Sequence, residues 1–243
     1  RAVALREITR ELARNRGWRA SFAPKTVTDG VGNGVHIHFS FRDAEGRPAA
    51  YDAERPGFMS VLAGSFVAGI LRHMPALVAF TAPSPISGLR LQPHHWSSSY
   101  TWFGAQDREA SVRICPLNRS DNSDPARAYN IEYRPADATA SPHLALGVMI
   151  RAGIEGIRQK LAAPPLFSGD PALLSENARR ELGLQRLPVT LDEALEALQA
   201  DDTVTSWFDP LALETYIGMK RMEITLAGAP VDDTMCRRYA EIY

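Results

Sequence analysis

The clearest pattern along the chain is the strict alternation within "GVGNGVHIHFSF", residues 30 to 41. Val35, Ile37, Phe39 and Phe41 form the apolar set, with His36, His38, Ser40 and Arg42 between them. Successive side chains of an extended chain point to opposite faces, so this stretch predicts a β-strand with one apolar and one ionisable face. Two further stretches alternate likewise. "ASVRICP" (110–116) sets Val112 and Ile114 against Ser111, Arg113 and Cys115. "YNIEYRP" (129–135) sets Tyr129, Ile131 and Tyr133 against Asn130, Glu132 and Arg134. A short strand is also predicted over "WRASFAP" (18–24).

Helical periods account for much of the rest. Leu5, Ile8 and Leu12 recur at helical spacing until Gly17 stops the pattern. "MSVLAGSFVAGILRHMPALVAF" (59–80) predicts a buried helix. Arg72, His73 and Pro75 interrupt it too much for a membrane span, which needs about 20 apolar residues. Ser141 and Pro142 suit an N-cap and first turn for a helix reaching about Leu161. A Pro-rich link, "AAPPLFSGDP", leads to a helical tail where Thr190 and Glu193 make a capping box ahead of "ALEALQA". Asp209–Pro210 starts another helix, and a last one covers residues near 232–242. Residues 42–57 read as loop, and "TAPSPISGLRLQPHHWSSS" (81–99) as an aperiodic loop of the kind that is usually functional or disordered.

Composition narrows the function classes. With 27 basic and 28 acidic residues the net charge is −1, which excludes a general nucleic-acid binder. Cys115 and Cys236 give neither zinc spacing nor a disulfide framework, so a reducing, cytoplasmic compartment is expected. An antiparallel sheet can leave one face wet, and the three polar faces admit that reading. Their residue types admit another. A carboxylate and imidazoles bind divalent metals, while arginines match phosphate and carboxylate oxygens in a planar fork. Together these are the parts of a metal–nucleotide phosphoryl-transfer site.

Four blocks carry a more specific signal: "GVGNGVHIHFSF", "AGILRHMPALVAFTAPSPISGLRL", "DREASVRICP" and "NIEYRPADATASPHLALGVMIRAGIEGIRQKL". Their order and approximate spacing resemble the C-terminal part of a glutamine synthetase catalytic domain. The tail, with "TLDEALEAL" and "RRYAEIY", is similar to that family's end. The resemblance implies an α+β fold: a curved antiparallel sheet forming part of a barrel, outer helices and a helical C-terminal tail. It divides the chain into a catalytic-domain portion, 1–162, and a helical tail of the same domain, 163–243. The family's N-terminal β-grasp domain and first metal carboxylates would lie upstream of Arg1, so the chain is expected to be a fragment, inactive alone.

The implied activity is ATP-dependent ligation of glutamate to an amine through γ-glutamyl phosphate, with Mg2+ or Mn2+. By similarity His36 and Glu132 ligate a metal, and His38, Ser40, Arg113 and Arg127 face the nucleotide. Gly32, Arg90 and Arg134 hold glutamate, and Arg108 lies near the transferring phosphate. Two departures stand out. Val31 replaces an asparagine of ammonia-using members, and Trp96 falls at or near the flap glutamate that holds and deprotonates ammonium. An indole offers an apolar or cation–π surface for a larger amine, with His95 or His94 as base. A homo-oligomeric ring or dodecamer is implied for the full-length protein, with no nucleic-acid or membrane partner. The competing reading is a non-catalytic relative kept for binding or assembly.

Overall fold

The computed structural model describes residues 1–117 and 124–243. In chain order the helices are α1 (Ala2–Arg14), α2 (Val61–Thr81), α3 (Pro125–Ala128), α4 (Pro142–Arg158), α5 (Glu176–Glu181), α6 (Leu191–Gln199), α7 (Asp202–Thr205), α8 (Pro210–Ala227) and α9 (Asp233–Ile242). The strands are β1 (Ile37–Phe39), β2 (Phe103–Ala105), β3 (Val112–Ile114) and β4 (Ile131–Tyr133). They form one open sheet in the order β1-β4-β3-β2.

The three alternating stretches all contribute to this sheet, although each keeps only three residues in the ladder. β4 pairs antiparallel with both β1 and β3. The expectation of a wholly antiparallel sheet fails at its edge, where β2 runs parallel to β3. β2 carries Gly104 and Ala105 and has no alternation to announce it. The strand expected over 18–24 does not form. That segment has no neighbouring ladder, and Phe22 N–H instead bonds the Tyr243 carbonyl at 2.9 Å.

The apolar face of the sheet rests on α2, which buries 15 of its 21 residues. Phe39 and Phe41 put their rings 5.3 and 5.5 Å from that of Phe66. Ser60 caps α2 by accepting from Ala63 N–H at 3.1 Å, and Pro75 is accommodated inside the helix. α2 is long and apolar enough to cross a membrane, but most of it is covered by the sheet, α4 and α6. α4 lies backbone to backbone on it. A Cβ added to Gly69 would sit 2.1 Å from the Ala152 carbonyl oxygen, so only glycine permits this approach.

The tail follows its capping signals. Thr190 Oγ1 accepts from Glu193 N–H at 3.1 Å, while Glu193 Oε2 accepts from Val189 N–H at 2.8 Å, one residue outside the expected box. Asp209 and Asp232 cap α8 and α9. The Pro-rich link is not a free spacer: Phe167 N–H bonds the Phe103 carbonyl at 2.9 Å, lying along β2. α1 buries none of its residues, leaving Leu5, Ile8 and Leu12 exposed. Arginines tie it down instead, Arg6 donating to the Ala138 and Ala140 carbonyls at 2.6 and 3.0 Å.

Candidate active site

Register turns the polar alternation into a row. His38 and Arg113 both lie opposite Glu132, on β1 and β3 respectively, so one line across three strands reads imidazole, carboxylate, guanidinium. Side chains two residues apart share a face, which adds His36 and Arg134 to the same surface. Glu132 is 1% exposed and is the hub. Its Oε1 lies 2.7 Å from His36 Nδ1 and 2.7 Å from Arg134 Nη1, and its Oε2 accepts from Arg113 Nε. Burial alone would raise the Glu132 pKa. The His36 hydrogen bond and the two guanidinium groups outweigh burial and hold the carboxyl well below the usual range.

The surrounding groups are also tightly placed. His38 Nδ1 lies 2.8 Å from Asn130 Oδ1 and 3.5 Å from Cys115 Sγ. Burial and the nearby Glu132 carboxylate push the Cys115 thiol up to about 11, so it is neutral at pH 7. His38, Cys115 and Glu132 bring ligand atoms within 4.8 Å of one another. One carboxylate and two imidazoles suit a divalent cation, but Mg2+ wants about six oxygen ligands. The residues present therefore fit part of a metal's coordination shell.

Arg134 is buried and joins this floor to the loop above it. Its Nη2 donates to the carbonyls of Trp96 at 3.1 Å and Arg108 at 2.7 Å, while its Nε has no partner among the described residues. Arg90 is likewise buried, donating to Ser97 Oγ at 3.0 Å and the Ala136 carbonyl at 2.9 Å, with its Nε unpartnered among the described residues. Gly32 packs on that side chain: a Cβ there would meet Arg90 Cγ at 2.6 Å. The Gly-rich turn thus gives room to Arg90.

Other expected residues are not drawn into the cluster. Ser40 is exposed. Arg127 is exposed on α3, 3.5 Å from Asp124. Arg108 is exposed and reaches Arg134 only through its backbone carbonyl. His95 is exposed, its Nδ1 3.5 Å from Lys25 Nζ. Lys25, 2% exposed and with its pKa lowered by burial, received no weight from the sequence.

The loop carrying Trp96 is held by a residue that the sequence did not single out. Glu109 accepts from His94 N–H at 3.0 Å and from Trp96 N–H at 2.8 Å, one carboxylate oxygen each. His94 Nε2 also lies 2.7 Å from Asp170 Oδ2, which raises the imidazole pKa. The Trp96 indole is 72% exposed. No periodicity links residues 94, 96, 109 and 170. Cys115 and Asn130, by contrast, lay in plain view on the alternating faces.

Residues 1–239 match the family model described as glutamine synthetase, catalytic domain. A γ-glutamylpolyamine synthetase of Streptomyces coelicolor is 38% identical over 239 residues, covering 98% of this chain and 50% of that protein. A glutamine synthetase of Methanocaldococcus jannaschii is 32% identical, covering 91% of this chain and 47% of its own. A crystal structure titled as a novel glutamine synthase homolog superposes with a TM-score of 0.87 at 43% identity, covering 100% of this chain and 53% of that one. The chain spans about half the length of the curated relatives it matches.

Proposed function

The chain belongs to the glutamine synthetase family, and from that premise we propose that the protein carrying it is an ATP-dependent glutamate–amine ligase. The observation that carries the reading is the row of His38, Glu132 and Arg113 flanked by His36 and Arg134. ATP phosphorylates the side-chain carboxylate of glutamate, and an amine then displaces phosphate to leave a γ-glutamyl amide. A bound divalent cation, Mg2+ or Mn2+, supplies charge neutralisation on the phosphates. Glu132, with His36 or His38, would hold it, together with carboxylates from the half of the relatives that this chain does not span. Arg113 and Arg134 set positive charge where the transferred phosphoryl group gains negative charge, which is the larger part of such catalysis. Arg90 and Gly32 shape the glutamate pocket. Ser40, Arg108 and Arg127, exposed here, close on nucleotide and phosphate when these are bound.

The amine is larger than ammonia. Trp96 removes the carboxylate that ammonium needs, and a relative of this chain is a γ-glutamylpolyamine synthetase. His95 or His94 serves as the base. The protein works in the cytoplasm as a homo-oligomeric ring, with the sheet completed into a barrel, residues 1–162 forming the catalytic part and 163–243 its helical tail.

The test is phosphate release by the intact protein from ATP and glutamate, with ammonium in one series and a panel of amines in another. Preference for a bulky amine, lost in Trp96→Glu, supports the reading. Turnover with ammonium as good as with any amine restricts it to glutamine synthesis. Silence with every amine overturns it in favour of a non-catalytic relative.

A further inference from the structure

Behind the loop that carries Trp96 lies a cleft of about 380 Å3, within the size range of small-molecule sites. Trp96 and Trp102 contribute indoles, and Asp107, Glu109 and Asp170 contribute carboxylates. Trp102 is fixed, its Nε1 donating to the Glu109 carbonyl at 3.0 Å and its ring 5.4 Å from that of Phe167. His94 is the one lining residue able to carry positive charge, and it is already bonded to Asp170. Three carboxylates against one imidazole leave the cleft with an excess of negative charge in either His94 state.

Its position relates it to the reaction. The Trp96 and Arg108 backbones form a rim, and both their carbonyls bind Arg134 Nη2 on the far side. The Trp96 side chain and the carboxylates of Asp107 and Glu109 line the cleft. One backbone thickness therefore separates Arg134, beside Glu132, from the indole-and-carboxylate space.

We propose that this cleft is the subsite for the second ammonium group of a diamine or polyamine acceptor. The reacting nitrogen is presented on the Arg134 side of the rim. The methylene chain crosses it against the Trp96 ring, and the distal ammonium lies between the indoles and the carboxylates of Asp107 and Asp170. Carboxylates alone would be an ordinary acidic surface. Two tryptophans lining the same cleft add an apolar wall for the methylenes and a cation–π face for the charge, a combination that favours an alkylammonium over a metal ion. This inference rests on the ligase reading for the reacting end of the amine, and it adds which amine and why.

The test compares butylamine with diaminobutane, equal in length and different in the second charge, using the intact protein with ATP and glutamate. The expected kcat/KM ratio favours the diamine by about tenfold or more, as one cation–π contact and one ion pair together supply. In Asp107→Asn the ratio falls towards one, and in Asp107→Asn with Asp170→Asn it falls further. Asp170→Asn also disturbs His94, whereas Asp107 Oδ1 accepts from Glu109 N–H at 2.8 Å and asparagine keeps that carbonyl acceptor, so the single Asp107 change is the decisive arm. A ratio near one in the wild-type protein, or a ratio unmoved by Asp107→Asn, overturns the proposal. If no amine or ammonium supports turnover, the ligase reading fails separately. Binding of diaminobutane, followed by tryptophan fluorescence, then decides the cleft alone: weaker binding in Asp107→Asn sustains it, and no binding or unchanged binding overturns it.

Discussion

The sheet floor and the loop above it hold the same kind of chemistry by opposite means. On the floor, three strands in register put His38, Glu132 and Arg113 in one row, and backbone pairing fixes each side chain before any side-chain bond forms. In the loop, residues 94 and 96 have positive φ values of 64° and 53° and belong to no ladder. Both of their amides are held by one carboxylate, Glu109, from a separate turn. The floor is redundant, with several bonds converging on one buried group. The loop is held by scattered single bonds: Glu109 on the His94 and Trp96 amides, Arg134 on the Trp96 carbonyl and Asp170 on the His94 ring. The floor is thus rigid by register, and the loop above it is held by bonds that single substitutions can remove.

The largest way to break the floor is Glu132→Ala. It leaves the buried Arg134 without its carboxylate and deprives Arg113 and His36 of theirs. Removing one partner from a buried charge network costs about 3–5 kcal/mol, read as a lower urea midpoint. Acid should reach the same group more gradually. Because the Glu132 pKa is depressed in the fold, its stabilisation is fully present above its unfolded value and is lost as pH falls through that range towards the folded value. In that window the unfolded chain binds more protons than the native one. The wild-type protein should thus lose up to about 1.4 kcal/mol per pH unit more than Glu132→Gln does on acidification. Equal slopes in urea titrations of the two would show that Glu132 is not the group that acid disrupts.

What could be read in advance divides along the same line. Alternation at 35–41, 110–116 and 129–135 located the three strands and the members of the polar row, because a period of two survives without knowledge of the partner strand. Strand limits, the parallel β2 edge and the missing strand at 18–24 depend on ladder partners, which a linear pattern does not contain. The roles of Arg134 and Arg90 as buried struts were equally hidden, since a guanidinium reads alike whether it faces substrate or backbone carbonyls. Glu109, Asp170 and Lys25 had no signal at all. The bonds from Glu109 to the His94 and Trp96 amides, from Asp170 to His94 and from Lys25 to His95 span 13 to 76 residues and form only on folding.

Glu109→Ala should sharpen the contrast at intermediate cost. Two charge-assisted bonds to backbone N–H groups are lost at a partly exposed site, so stability should fall by about 1–2 kcal/mol. The sharper readout is amide hydrogen exchange. His94 and Trp96 amides should lose protection while those of Ile131 and Tyr133 in β4 keep theirs. Glu109→Gln, which retains one carbonyl acceptor, should fall between. Matching losses in loop and sheet would mean that the two regions open as one unit and that the loop is not held separately.

The smallest loss of stability is expected at Trp96, and its smallness is the point. The indole is 72% exposed and contributes little burial. Its φ of 53° costs an L-residue about 1–2 kcal/mol, which glycine at that position would relieve. Glycine in turn gives the unfolded chain more freedom, costing about 0.5–1 kcal/mol. The balance leaves Trp96→Gly as stable as the wild-type protein or up to about 1.5 kcal/mol more stable. The Trp96 N–H and carbonyl remain in the variant, so the bonds to Glu109 and Arg134 persist. Undiminished stability together with a lost preference for bulky amines would place Trp96 in amine selection. A loss above about 2 kcal/mol would instead make the indole part of the loop's packing, and the flap as rigidly built as the floor.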